Sequence, residues 1–581
     1  MYIERPALEA LLVIYLQVAL LSGLFVLAGM WLYRRVLTGL GETVPLSFAC
    51  GGAYFLGMAA FLVLFMVYAH LFQSARVGLW LSIGSLLVMG LLGHAWSWAQ
   101  LASPHVGKFL LSAAALVCAF TVTNMTCWFQ SAGPGPTTSP GHLTMFGSGH
   151  SGRYGNYSIY IAEADRIPAI AQNLGQSMLA AANLLLGCDS PLAALMVWIP
   201  FSLTGMTLLI YGLFRLKGLS TAWAIGGTYF VLFCQVALSF SHVLVLDTGS
   251  PIGFSCYTDA VVCLSTFLLT WHWCETLLFR AAPWSWWNLL FPLLFGVYWS
   301  WSAPQNIVIS LATVLGVMLI RGTPAQADRS RRRLVLAAIV LVGATAVGAS
   351  QAGVFLPRSL REEINSPKYE VPVSSIRFRP YLQYLHNYWT SYEWNLHFDS
   401  KSSSMTPRVY EKNYEINRSK GKAVVISSTL RVLESHLWSA LRVYGFLFLG
   451  LGLLAWRVYW APSELRGPLD SWLWGAASAA LTGFLIMFCF DIGGVKWHLT
   501  RFMLPGVVLC LTGLVLALAP CGTTPASRRL QILWGVLLIV GTLAPWFDWG
   551  QQFWASWVTR AAVDPLYHRV NLLIREAGPY P

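Results

Sequence analysis

The chain has 581 residues, of which 56% are hydrophobic and only 10% charged, and its formal net charge is +13. A water-soluble protein of this length needs far more charge to cover its surface, so a soluble enzyme is excluded as the expected class. The positive balance is explained by basic loops on one side of a membrane rather than by nucleic acid, because Lys and Arg are spread over short segments with no contiguous patch.

Apolar runs long enough to cross a hydrocarbon core of roughly 30 Å recur from end to end. Fourteen are expected, at 9–33, 48–71, 77–98, 109–125, 191–214, 221–245, 260–279, 286–302, 304–320, 334–352, 438–457, 472–490, 502–519 and 530–547. A β-barrel would alternate with period two, and these runs do not. The expected fold is therefore an all-α polytopic integral membrane protein with about fourteen transmembrane helices and two long exterior loops. The first run is followed by Tyr33-Arg34-Arg35 and lacks a small-residue cleavage pattern, so it reads as a retained helix.

Basic residues orient the spans. Arg34 and Arg35 follow the first, Lys108 precedes the fourth, and Arg215 and Lys217 follow the fifth. Arg280 follows the seventh; Arg321, Arg329, Arg331, Arg332 and Arg333 precede the tenth. Arg457 and Arg466 follow the eleventh, and Arg528 and Arg529 the thirteenth. All fall on one side if the spans alternate, and that side is expected to be cytoplasmic, with both termini outside. The organisation is then 1–125 (four spans), 126–190 (exterior loop with interfacial helices), 191–352 (six spans), 353–437 (large exterior loop or small α/β cap) and 438–581 (four spans and an exterior tail). The expected location is a bacterial inner or plasma membrane.

Within the first exterior loop, 131–152 is rich in Gly, Pro, Ser and Thr and reads as irregular. From about Tyr157 the apolar spacing predicts a short interfacial helix ended near Pro168, and 175–187 predicts a second interfacial or re-entrant helix. Cys127 and Cys188 both fall on the expected exterior and can pair if they meet; no Cys or His spacing indicates a metal site. The exterior stretch "DTGSPIGFSCYTD" carries Asp247 and Asp259, weak candidates for a divalent metal ion or for an acceptor sugar. Glu275 lies near the cytoplasmic end of its span, where snorkelling or a pair with Arg280 explains it. The aromatic run 381–398 suits sugar stacking, a cap core or the lipid interface. No GxxxxGK[ST] loop is present to cradle nucleotide phosphates.

Two stretches carry a resemblance. "YIAEADRIPAIAQNLGQSMLAAANLLLG" is similar to an outer-loop pattern in which a short helix leads to an x-Ile-Pro turn, a Gly-containing segment and the next apolar helix. "KWHLTRFMLPGVVLCL" is similar to a late RF-x-x-P entry to a helix, and "YWSWSAPQNIVI" is a weaker echo. Together they resemble the GT-C superfamily of membrane glycosyltransferases, which use polyprenyl-phosphate-linked sugars. The resemblance implies a base for the acceptor hydroxyl and cationic groups for the leaving lipid phosphate. The family's early outer-loop acid is absent from "FGSGHSGRYGNYS", so either the base is missing or Asp165 or Glu163 supplies it, and Asp165 is preferred because Arg166–Pro168 fix the chain just after it. Two positions apart on a helix, they point to different faces. Arg501, Lys496 and His498 would hold the donor phosphate, although interfacial anchoring also explains them. His150 and Arg153 would contact phosphate or sugar, or stand as a solvated loop. The implied partners are a polyprenyl-phosphate-linked sugar, membrane lipids and an acceptor that the residues do not specify. A transporter or flippase of a lipid-linked saccharide, and a non-catalytic membrane subunit of a surface-polymer machine, are the rival classes.

Overall fold

The computed structural model describes residues 8–37, 44–101, 150–167, 174–188, 194–195, 197–238, 258–279, 286–302, 304–320, 327–351, 447–460, 463–489 and 500–518, with isolated positions 437, 532 and 536. The expected spans 109–125 and 530–547, most of the loop 353–437, and Cys127 lie outside the described residues. Among the described residues every regular element is helical.

The helices are α1 (Leu8–Leu37), α2 (Leu46–Leu71), α3 (Ala75–Leu101), α4 (His150–Glu163), α5 (Leu174–Leu185), α6 (Trp198–Leu216), α7 (Thr221–Leu238), α8 (Thr258–Phe279), α9 (Leu290–Ser302), α10 (Pro304–Ile320), α11 (Ala327–Gln351), α12 (Leu447–Tyr459), α13 (Ser463–Cys489) and α14 (Leu504–Leu518). Single 3-10 turns, Trp286–Leu289 and Thr500–Met503, lead into α9 and α14. Among the described residues, three helices are long and apolar enough to cross a membrane, over Val13–Arg35, Leu46–Leu71 and Ala75–Gly93.

Helix α2 is the axis of the N-terminal part. It is 26 residues long, about 39 Å at 1.5 Å per residue, and is buried along most of its length. Small residues let its neighbours close in, as they do where one apolar surface must pack on another without a hydrophobic gain. A Cβ on Gly29 of α1 would overlap the Ala53 carbonyl, and one on Gly57 would overlap the Phe25 carbonyl. The α1–α2 crossing is therefore backbone against backbone. Helix α6 takes the other side of α2, where Gly51 and Gly212 sit against its backbone and that of α2 in turn.

Helix α5 is packed among other helices. Leu174 through Asn183 are all buried, and the helix packs against α1, α2, α8 and α9 as well as α4. Helix α4 begins at His150, earlier than the Gly- and Ser-rich composition suggested, and runs through Gly152 and Gly155.

Candidate functional site

Asp165 follows the last residue of α4 by two positions. Its φ is +53°, in the left-handed region that Asp tolerates better than most side chains. That turn aims the carboxylate at the start of α3. Ser74 Oγ donates to Asp165 Oδ2 at 2.6 Å, and the Arg76 N–H donates to Oδ1 at 2.7 Å. The Ala75 N–H donates to the Asp165 carbonyl at 2.9 Å. Ser74 itself caps α3, its Oγ accepting from the Val77 N–H at 3.2 Å. An anion among the first N–H groups of a helix is stabilised both by those bonds and by the helix dipole. Asp165 thus fastens the α4–α5 segment to the α2–α3 turn through three bonds. A carboxylate offers about four acceptor positions, and two of them are used here.

Glu163 is the final residue of α4 and is exposed, as is Arg166. His150 and Arg153 both lie in the first turn of α4. Across the adjoining gap, α5 is held to three other helices. The Gly175 N–H donates to Ser302 Oγ at 3.3 Å, Trp198 Nε1 donates to the Leu179 carbonyl at 3.2 Å, and Gln17 Nε2 donates to the Leu186 carbonyl at 3.0 Å.

Sequence reasoning missed Gln176. Its side chain is buried at 1% exposure, and neither its amide nitrogen nor its oxygen has a hydrogen-bond partner. Asn183, two turns on, donates to the Ala194 carbonyl at 3.4 Å but leaves its oxygen without a partner. Unpaired buried amides are costly, by roughly 1–3 kcal/mol per group. The signal available in the sequence was a pair of amides in a short apolar run.

A second polar group is buried at the other end of α2. Lys217, just after α6, donates to Glu275 Oε2 of α8 at 2.7 Å, and Trp472 Nε1 of α13 donates to Glu275 Oε1 at 3.1 Å. His272 Nδ1 lies 3.8 Å from Glu275 Oε2, and its ring meets the edge of Phe48, near the start of α2. Glu275 is therefore paired with Lys217, 58 residues away in the chain. Arg280, the partner suggested by proximity in sequence, lies outside the described residues.

These contacts define two ends of the bundle. One end gathers Lys217, Glu275, His272 and Phe48. Tyr33 packs on Phe48 and so brings the end of α1 there, with the Arg35 guanidinium over the rings of Trp31 and Trp287. Arg457 Nε donates to the Ala517 carbonyl at the last turn of α14, beside the Trp472 side of α13. The opposite end carries the α2–α3 turn with Asp165. It also carries the Thr500–Met503 turn, because α13 and α14 run antiparallel and Gly483 lets the Phe502 backbone close against α13.

Arg501 lies in that turn, at the same end of the bundle as Asp165 but with no described contact between the two segments. Asp259 is the second residue of α8. Lys496, His498 and Asp247 lie outside the described residues. Among the described residues there is no group of three His, Cys, Asp or Glu side chains able to hold a metal ion. Comparison of the chain with family models, curated proteins and solved structures finds no match.

Proposed function

We propose that the protein is a polytopic membrane glycosyltransferase of about fourteen spans in a bacterial inner or plasma membrane. It moves a sugar from a polyprenyl-phosphate donor to a lipid, glycan or protein acceptor at the outer face. One observation carries the reading: the described parts of the two stretches that resemble GT-C enzymes, separated by over 300 residues in sequence, come to the same end of the bundle, and Arg35, Lys217 and Arg457 of the basic set that orients the chain gather at the other.

In this reading α4 and α5 roof the reaction chamber. Asp165 positions that roof, and Glu163 on the same segment is the carboxylate that takes the acceptor proton. Arg501, with Lys496 and His498 upstream, holds the leaving lipid phosphate, where a guanidinium can bind two oxygens at once. His150 and Arg153, on the first turn of α4, contact the donor from above.

The test is transfer by the purified full chain from defined polyprenyl-phosphate sugars, together with mass spectrometry of the lipids that co-purify in native-lipid discs. A polyprenyl-phosphate sugar that co-purifies and is lost on Arg501→Ala supports the reading. Absence of any transfer product across the donor panel, with only bulk phospholipid bound, overturns it. The buried Lys217–Glu275–His272 group favours one rival, ion-coupled movement of a lipid-linked saccharide, since ionisable groups inside a bundle often mark transport paths. Proton-dependent translocation in proteoliposomes without chemical change of the cargo would select that rival.

A further inference from the structure

The basic end of the bundle holds a cation in an aromatic corner. Arg35 is exposed in the last turn of α1. Its guanidinium lies over two indole rings, 5.9 Å from the centroid of Trp31 and 5.7 Å from that of Trp287. The rings themselves meet edge to face, 5.8 Å apart at 79°, so they form two walls. Each wall is backed. Trp31 sits against α3, where a Cβ on Gly93 would come within 3.1 Å of Trp31 Cβ. Trp287 belongs to the Trp286–Leu289 turn, which packs on α1. An indole attracts the cation with its ring face and consumes none of its donors. Among the described residues no carboxylate pairs with Arg35, and no group accepts a hydrogen bond from it. Its N–H groups are therefore held in place without a protein acceptor. The dipole at the end of α1 favours any cation here, but it does not call for two indoles that fix a guanidinium.

The surface leading to the corner is apolar. On α1, Leu20 and Leu27 are exposed and stand on one face with Trp31 at helical spacing. On α9, Leu293 is exposed two turns after Trp286, which is 75% exposed. From Leu20 to Arg35 the helix rises about 22 Å, more than half of a hydrocarbon core of roughly 30 Å. Leucines, then indoles, then a guanidinium follow the order of acyl chain, ester region and phosphate across one leaflet.

We infer that the corner of Trp31, Arg35 and Trp287 binds the phosphate of an anionic phospholipid in the leaflet at the basic end, with one acyl chain lying along Leu27 and Leu20. The guanidinium takes two phosphate oxygens at once. Because the rings already hold it, little side-chain freedom is lost on binding. Arg34, exposed in the same turn, adds positive charge that favours an anionic headgroup over one carrying its own cation. The inference rests on the bilayer placement in the proposed function and not on transfer of a sugar.

The experiment uses the full chain in phosphatidylcholine vesicles containing a minor share of phosphatidylglycerol with a diazirine near the ester end of one acyl chain, followed by photolysis and peptide mapping. Label is expected on 27–35 and 286–293. It should exceed by about tenfold, the worth of a charge-assisted hydrogen bond, the label on Trp456, Tyr459 and Trp460, exposed aromatic residues at the same end. Arg35→Gln brings the corner down to that background. Arg35→Lys keeps the charge but loses the fork, and lowers the label by about fivefold, as one lost hydrogen bond should. Arg34→Gln removes a charge without touching the corner and lowers it less than Arg35→Gln. Equal label on the Trp456–Trp460 segment, equal labelling by a phosphatidylcholine diazirine, or wild-type labelling of Arg35→Lys overturns the inference. So does displacement of the label by inorganic phosphate beyond that by chloride at equal ionic strength, which would name a free anion as the ligand. No label on either segment overturns the bilayer placement and the inference with it.

Discussion

Substitutions at Asp165 separate a fastening role from a catalytic one, because three replacements change different terms. Asn keeps the shape, tolerates the left-handed backbone, and still accepts from the Arg76 N–H, while the Ser74 hydroxyl can turn to accept from its amide. Asp165→Asn therefore loses mainly the charge at the start of α3, about 0.3–1 kcal/mol. Gly removes both side-chain bonds, roughly 0.5–1.5 kcal/mol each, but relieves the positive φ. Ala removes the same bonds and keeps an L side chain at φ +53°, a further cost of about 1–2 kcal/mol. The expected order of stability is wild type, Asn, Gly, Ala. Thermal unfolding of the purified full chain reads the order, and limited proteolysis of the 126–190 loop should accelerate in the same order as the fastening weakens. Ala as stable as wild type, with the loop equally protected, refutes the fastening. Near-wild-type stability of Asn combined with complete loss of transfer would instead make Asp165 the base and return Glu163 to the surface.

The Lys217–Glu275 pair gives a sharper stability test. Glu275→Gln or Lys217→Met alone should cost about 3–5 kcal/mol by leaving one buried ion without its partner, and the double change to Met and Leu should recover most of it. A double variant no more stable than either single one contradicts that reasoning. Replacing Gly57 by Val forces α1 away from α2 where Phe25 and Gly57 touch, so the variant should lose folded yield in detergent far more than Gly23→Ala, where a Cβ meets nothing; equal yields would count against the close crossing. For the transferase reading, Arg501→Lys should raise the donor KM more than it lowers kcat, because it keeps charge and loses the two-pronged grip; unchanged donor KM would remove Arg501 from the phosphate site.

How much was legible follows from the range of each interaction. Long apolar periodicity is local, and the segments 48–71, 260–279 and 502–519 return as α2, α8 and α14 within a few residues. The basic residues of Arg35, Lys217 and Arg457 were also legible as a set, since one charge rule governs every loop, and the contacts of these three gather at one end. Pairings across the chain were not. Lys217 and Glu275 stand 58 positions apart, and Asp165 and Ser74 stand 91 apart. Nothing in a local window distinguishes a carboxylate that will fasten a helix from one that will take a proton. The burial of α5 was illegible for a related reason: twelve residues are too few to mark a span, and only the helices around it show that the segment lies inside the bundle.

That burial bears on the choice between transfer and transport. Alternating access needs one group of helices to rock against another around a fixed site. Here α5 is hydrogen-bonded to α6 through Trp198 and to α9 through Ser302, Leu186 just after it is bonded to Gln17 of α1, and α4 is fastened to α3 through Asp165. Rocking α6 or α9 against α5 would break the Trp198 and Ser302 bonds, which are buried and have no water to replace their partners. A segment held in four directions favours the transferase proposal, because oriented groups accelerate transfer only while they remain aligned. A cross-link placed between α1 and α6 near Tyr15 and Phe201, whose rings are 6.3 Å apart, should therefore leave transfer intact. Loss of function on forming that link, with recovery on its reduction, would show that these helices must part, and the transport reading would then stand.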